Sequence, residues 1–428
     1  MKKLVSLLMA ATMCASLAAC GGSSASSTAS TAASTADSSA ASSSTEAAAT
    51  SSDPVSGGEI NIPITDDPTT LQGWMVRNTN EMTVAPAIYE TLMAYDNAGT
   101  PQPYLLESFE GDPEALTYTM VVKDGITFQD GTPLDADAVK WNLDYYKENG
   151  VLTGSYFSYV DNVEVVDEKT VVVHMSSWDA LFDYGLARTC FICSPTAVEE
   201  LGPDGFNETP VGTGPFKVTK WVHGEGIYTE AYADYWQGKP YLDSVNFKIY
   251  ASTATQQAAM EVGDLDIMYL TGDAVTADSM EASGYTITNS SIPDSGHTLC
   301  FNSKADGPLT DVRVRQAIAL AVDTESINAA LLSNGKYGTS STQWAVSTSG
   351  EYTDIEGYGY DVEKAKSLLA DAGYADGFDL TINFQVGDFA KSVCQIIQAE
   401  LGEIGINVTL NQIEVANYAN YLGEWDDI

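Results

Sequence analysis

PVGTGPFKVTKW at residues 210–221, ADYWQGKPYLDSVNFKIY at 233–250 and TQQAAMEVGDLDI at 255–267 decide how this chain folds. The first segment is a tight Gly/Pro turn that runs into a strand. The second crowds aromatic residues and prolines ahead of an alternating Val245, Phe247 and Ile249. The third is a helical run closed by Gly263, with an apolar stretch at 265–270 that reads as a further strand. Strand, helix and strand in that order are one βαβ unit, which requires a parallel pair and a right-handed crossover. Nothing in the arrangement is catalytic.

The chain opens on Met1, Lys2 and Lys3, followed by an apolar run to Ala19 that ends in Leu17, Ala18, Ala19 and Cys20. A basic start, a short apolar run and small residues before a cysteine read as a lipoprotein signal peptide over 1–19, with Cys20 as the site of lipidation. A lipid there anchors the protein to a membrane surface without spanning it. Residues 20–57 are almost wholly Ser, Thr, Ala and Gly, a composition that cannot bury a core and acts as a flexible tether.

The remainder is longer than one ordinary domain, so two lobes are expected. The 44% hydrophobic and 10% aromatic content supports packed cores. With 19 Lys and Arg against 59 Asp and Glu the formal net charge is -40, which excludes nucleic acid as a partner and favours a soluble monomer. Cys190 and Cys193 form a C-x-x-C in TCFICS, which reads as a short buried strand. Residues an odd number apart on a strand face opposite ways, roughly 10 Å apart and beyond disulfide reach. No second C-x-x-C or nearby His completes a zinc set, so no metal or cofactor is expected.

Along the chain, EINIPI at 59–64 reads as a first strand and MTVAPAIYETLMAYD at 82–96 as a helix. Residues 116–147 read strand, Asp-Gly turn, short strand, Asp-Gly turn and then a helix capped near Asp135, with Val139, Leu143 and Tyr146 on one face. Two strands around 163–166 and 170–175 read as a hairpin. After a strand end near Cys300, a helix starts at Asp311 with Ile318, Ala321 and Val322 as its apolar face. Another helix runs from Asp361 to Gly373, and a strand, a helix and a strand follow it.

Four of these phrases, in order, resemble the extracellular solute-binding proteins of the oligopeptide and nickel type, which deliver ligands to ABC importers. They are the 210–267 stretch; Gly125, Phe128, Asp130 and Gly131 in a G-x-x-F-x-D-G turn; Phe301, Asn302, Asp311, Arg313, Val314, Arg315 and Ala317 in an FN…D-x-R-V-R-x-A element; and DVEKAKSLLADAG at 361–373. The resemblance implies an α/β, two-lobed fold of the periplasmic-binding-protein type (type II, with an extra α+β subdomain). It places lobe I at 58–93 and 209–294, an inserted subdomain at 94–208 and lobe II at 295–428. Members of that family continue further, so the chain reads as C-terminally truncated, with lobe II incomplete.

The three histidines, His174, His223 and His297, are far apart and match no metal spacing, and no G-x-S-x-G turn occurs. Carboxylate pairs such as Asp66/Asp67 and Asp264/Asp266 carry little information in so acidic a chain. A binding cleft instead needs hinge segments and polar or aromatic groups facing a gap. Gly212, Thr213 and Gly214 are the candidate hinge turn, and Asn302, Trp74, Tyr89 and Trp344 the candidate ligand contacts. The expectation is a lipid-anchored receptor on the outer face of the cell membrane, or in the periplasm where there are two membranes. It captures a short peptide or related small solute for ABC permease subunits. A secreted carboxylate-dependent hydrolase and a truncated, non-binding family member are the alternatives. The C-x-x-C reading predicts that Ellman's reagent reaches Cys190 and Cys193 only after unfolding; native labelling of either, located by peptide mapping, would contradict it.

Overall fold

The computed structural model describes residues 54–414, apart from 98, 152–155, 271, 290–296, 305, 342–352 and 354–356. The segments expected as signal peptide and, for the most part, as tether, with Cys20, lie outside the described residues, and so does Trp344.

Strand β1 (Glu59–Ile64) is followed by helix α1 (Thr79–Ile88), which opens with a reciprocal cap. The Asn78 side chain accepts from the Glu81 N–H at 3.1 Å, and a Glu81 oxygen accepts from the Asn78 N–H at 3.2 Å. The helix ends at Ile88 rather than running on to 96, and 93–95 is strand β2 (Met93–Tyr95), paired antiparallel with β3 (Pro101–Pro103). Pro86 removes one donor near the end, and the Ile88 carbonyl is taken by the Gly214 N–H at 2.9 Å and by Gln129 Nε2 at 3.1 Å. Donors from distant chain thus replace the next helical N–H.

A four-stranded antiparallel sheet in the order β4-β5-β7-β6 comes next. It comprises β4 (Leu106–Asp112), β5 (Thr117–Val122), β6 (Val160–Val165) and β7 (Thr170–Met175), with α2 (Ala136–Asn149) between β5 and β6. Asp135 caps α2 by accepting from the Ala138 N–H at 2.8 Å, and Val139, Leu143 and Tyr146 are buried along it as their spacing dictates. Then α3 (Phe182–Arg188) and α4 (Pro195–Glu208) follow, α4 kinked at Gly202 ahead of Pro203.

The chain returns through 210–215 to a second four-stranded sheet, ordered β1-β10-β9-β8. Strands β8 (Phe216–Val222) and β9 (Gly226–Ala231) form a hairpin, and β10 (Ser244–Ile249) joins β9 antiparallel. The parallel partner of β10 is β1, with Ile60, Ile62 and Ile64 opposite Val245, Phe247 and Ile249. Helix α5 (Thr253–Val262) ends on the left-handed Gly263, as its sequence requires. The strand expected at 265–270 is absent. Asp266 approaches β1, but its carboxylate takes the Asn61 N–H at 2.8 Å and its own N–H reaches the Asn61 carbonyl at 3.0 Å. A side chain therefore closes that edge where a ladder would have continued it. Helix α6 (Ala274–Ala282) follows.

A separate hydrophobic core is built from α7 (Val312–Ala321), α8 (Thr324–Leu331), α9 (Val362–Asp371), β11 (Phe378–Gln385), α10 (Asp388–Glu403) and β12 (Ile406–Ile413). Strands β11 and β12 are parallel with α10 crossing between them, and Val314, Ile318, Leu369, Leu401 and Ile406 fill the interior. Residues 297–303 are not a strand, against the strand end expected near Cys300, although Leu299 and Phe301 pack onto this core. Among the described residues the four cysteines are unpaired, with Cys190 and Cys193 fully buried in extended chain, and burial pushes both of those thiols well above their usual range.

On α10, burial first, with the negative charges of Asp323 and Glu403 adding to it, raises the Glu400 carboxyl from 4.5 to about 7. The folded protein therefore holds a proton that the unfolded chain releases over this interval, so this group's contribution to stability is present below pH 4.5 and is lost as pH rises through about 7. Glu400→Gln should remove that slope and melt higher than wild type above pH 7, while the gap closes in acid; melting curves across the range check it.

Candidate functional site

The returning turn at 212–214 meets the end of α1. A methyl group on Gly212 would lie 2.3 Å from the Ile88 carbonyl oxygen, and one on Gly214 would lie 2.5 Å from the Ile88 carbonyl carbon. Both positions exclude any larger residue because backbone packs against backbone there. Thr213 between them is fully buried. Gln129, from the F-x-D-G turn, locks the junction: its Nε2 donates to Ile88, Gly214 and Phe216 carbonyls at 3.1, 3.0 and 2.8 Å. Its backbone N–H reaches the Gly212 carbonyl at 2.9 Å, and its Oε1 accepts from the Gly212 N–H at 3.3 Å. The junction therefore joins three separate pieces of chain through one amide.

Beside it lies Glu90, only 7% exposed. One carboxylate oxygen accepts from Tyr104 Oη at 3.1 Å and from the Tyr235 hydroxyl, and the other from Trp236 Nε1 at 2.8 Å. Burial raises the Glu90 carboxyl above its ordinary range, opposed by these same donors. The aromatic cluster at 235–236 thus serves as the donor set for a buried acid that the sequence reading did not single out. Its one signal was a charge inside the apolar run YETLM at 89–93.

Two of the aromatic candidates are core residues. Trp74 is 4% exposed, edge-on to Tyr145 at 4.9 Å and tilted on Phe206 at 5.3 Å. Tyr89 is 1% exposed and spends its hydroxyl on the Leu71 carbonyl at 2.6 Å. Neither presents a face to a solute, and close packing on all sides is the reason. Asn302 is half-buried on the segment leading into the second core, where its Oδ1 accepts from the Lys304 N–H at 3.1 Å.

Of the acids weighed as catalytic pairs, Asp67 and Asp266 hold structure together. Asp67 accepts from Trp221 Nε1 at 2.9 Å and the Gly224 N–H at 2.8 Å, and lies 3.3 Å from His223 Nδ1. His174 pairs with Glu164 across the β6–β7 ladder at 2.9 Å, and the His297 ring lies tilted against Phe389, 4.9 Å between centroids. Among the described residues no group of His, Cys, Asp and Glu is arranged to hold a metal ion.

Residues 100–427 match a family model described as bacterial extracellular solute-binding proteins, family 5 middle. The chain belongs to this family. The glutathione-binding protein GsiB of Salmonella paratyphi A is 27% identical over 357 residues, which cover 82% of this chain and 69% of that protein. The oligopeptide-binding protein AppA from Bacillus subtilis, solved with a nonapeptide, superposes with a TM-score of 0.67 at 25% identity, covering 87% of this chain and 78% of AppA. AgaA from A. tumefaciens R10, solved with agropinic acid, gives 0.66 at 29% identity over 85% and 74% of the two chains. Family 5 proteins are substrate receptors for ABC import and not enzymes, so the hydrolase reading is set aside. The two-lobed α/β fold of periplasmic binding proteins is likewise shared with the solved relatives.

Removing the buried acceptor tests the aromatic cluster directly. Glu90→Ala leaves three donors without a partner and should cost roughly 3 kcal/mol in urea unfolding, whereas Glu90→Gln keeps an acceptor oxygen and should cost about 1 kcal/mol. Equal losses would show that the carboxylate contributes by something other than these bonds.

Proposed function

We propose that this protein is a lipid-anchored receptor that captures short peptides, or a related small solute, and hands them to the permease of an ABC importer. The observation that carries the reading is two separately cored bodies joined by linking chain, in a family whose similar members are named for glutathione or were solved with a nonapeptide. Such a construction lets a solute bind between rigid parts that rotate about their connections. We assign the first body to 58–93 and 209–294 with an insertion at 94–208, and the second to 295–428. Asn302, at the entry to the second core, is the residue of this chain assigned to hydrogen-bond the solute backbone. Cys20 carries the lipid, and residues 21–57 are the tether that holds the receptor at the outer membrane face.

A panel of glutathione and di- to nonapeptides, followed by titration calorimetry and thermal shift, is the test. A peptide at a hundred times its dissociation constant should stabilise the protein by about 2.7 kcal/mol. Asn302→Ala should weaken that binding about tenfold, the value of one hydrogen bond to a charged or buried partner. A well-folded protein that no peptide shifts would defeat the peptide reading and favour a non-binding family member or a different solute.

A further inference from the structure

Helix α6 belongs to neither core cluster, although Ala274, Ala277 and Met280 are buried along it. The segment after it is tied to the first body where the Tyr285 hydroxyl donates to the Met260 carbonyl of α5 at 3.4 Å. Its acids meet the second body. Asp278 accepts from Ser333 Oγ at 2.6 Å, Lys336 Nζ at 2.9 Å and Tyr337 Oη at 2.8 Å. Glu281, one turn on, takes the same Lys336 Nζ at 2.5 Å, and Asn289 Nδ2 donates to the Lys336 carbonyl at 2.9 Å.

The turn that presents these groups is unusual in its own right. Ser333, Asn334 and Gly335 follow α8 with φ of 50°, 56° and 82°, three left-handed residues in succession, two of which carry side chains. L residues seldom adopt that conformation, so surrounding contacts must hold it. Within the second body the Asn334 N–H reaches the Ala329 carbonyl at 3.2 Å, the Tyr337 N–H reaches Leu332 at 3.3 Å, and Asn328 Nδ2 reaches Gly338 at 3.3 Å. The Ser333 hydroxyl and the Lys336 ammonium find their hydrogen-bond partners on α6, and the ammonium also lies 4.7 Å over the Tyr337 ring of its own turn. Single exposed ion pairs contribute little, but here one ammonium bridges two carboxylates and a second and third donor share one of them. Hydrogen bonding to Lys336 first, then to Ser333 and Tyr337, holds the Asp278 carboxyl down at about 2, so the network stays charged through the neutral range.

We propose that the Lys336 clasp on Asp278 and Glu281 is a latch that sets how the second body seats against α6, and through that seating sets solute affinity. The second half rests on the receptor reading above; the first does not. Spin labels at Val262→Cys on the first body and Lys391→Cys on the second, in a Cys300→Ser background, report the separation by double electron–electron resonance. Lys336→Met should shift or broaden the distance distribution, and Lys336→Arg should restore it. Wild type should move part of the way toward the Lys336→Met distribution in about 1 M NaCl, where the Debye length falls to roughly 3 Å and weakens the clasp, while Lys336→Met responds no further. Glu281→Gln serves as a milder variant if Lys336→Met does not fold. A distribution in the folded variants identical to wild type, with the same salt response, overturns the latch whether or not a solute has been found. Where glutathione or a peptide binds, its affinity should change by about fivefold in Lys336→Met, the low end of measured couplings between sites. An altered distance with unaltered affinity overturns the second half alone. Failure of every probe to bind counts against the receptor reading and against the affinity half that rests on it, and leaves the distance result to judge the latch.

Discussion

The carbonyl of Ile88 is where three parts of the first body become one. It ends α1, and it accepts from the chain returning at Gly214 and from the Gln129 amide at the tip of a turn. A buried carbonyl with no partner costs free energy comparable to a lost hydrogen bond, so each of these segments is obliged to arrive at the same place. The absence of side chains at Gly212 and Gly214 is what permits the approach, and the Glu90 carboxylate repeats the principle nearby with aromatic donors in place of backbone ones. Geometry in this region is therefore set by polar groups that must be satisfied inside an apolar core.

The acidic excess has a related explanation in part. Asp135, Asp273, Asp311, Asp323 and Asp361 each sit at the N-cap of a helix and accept a backbone N–H from its first turn. A carboxylate there satisfies an orphan donor and lies at the positive end of the helix dipole. These acids build local structure. They are poor candidates for chemistry because their lone pairs are already engaged.

Features set by neighbouring residues were legible in the sequence. The buried stripe of α2, the Gly263 stop and the Asp311 cap follow from periodicity and capping chemistry, and the structure places each where the residues require. Features set by distant chain were not. The helix expected to reach 96 stops at Ile88 because its carbonyl is claimed by Gln129 and Gly214, far away in sequence. The strand expected at 265–270 is displaced by one carboxylate reaching Asn61. Trp74 and Tyr89 show the limit for site residues, since an aromatic ring suits a cleft and a core equally and only its surroundings distinguish them. Glu90 was missed for the converse reason: a lone acid in an apolar run gives no hint of the three donors that surround it.

The parallel pairing of β1 with β10 also sets a timetable. Strand β1 is the first of the described elements to be made, yet its partner lies about 185 residues downstream, and the side chains of Asn61 and Asn246 meet across that separation. Until β10 is available, β1 has no parallel partner, and the sheet cannot close in the order of the chain. The sheet containing β4 to β7, whose strands are close in sequence, is free to form earlier. The inserted segment can thus be folded while the sheet that flanks it is still open, and closing that sheet brings the distant β10 back to the start of the first body.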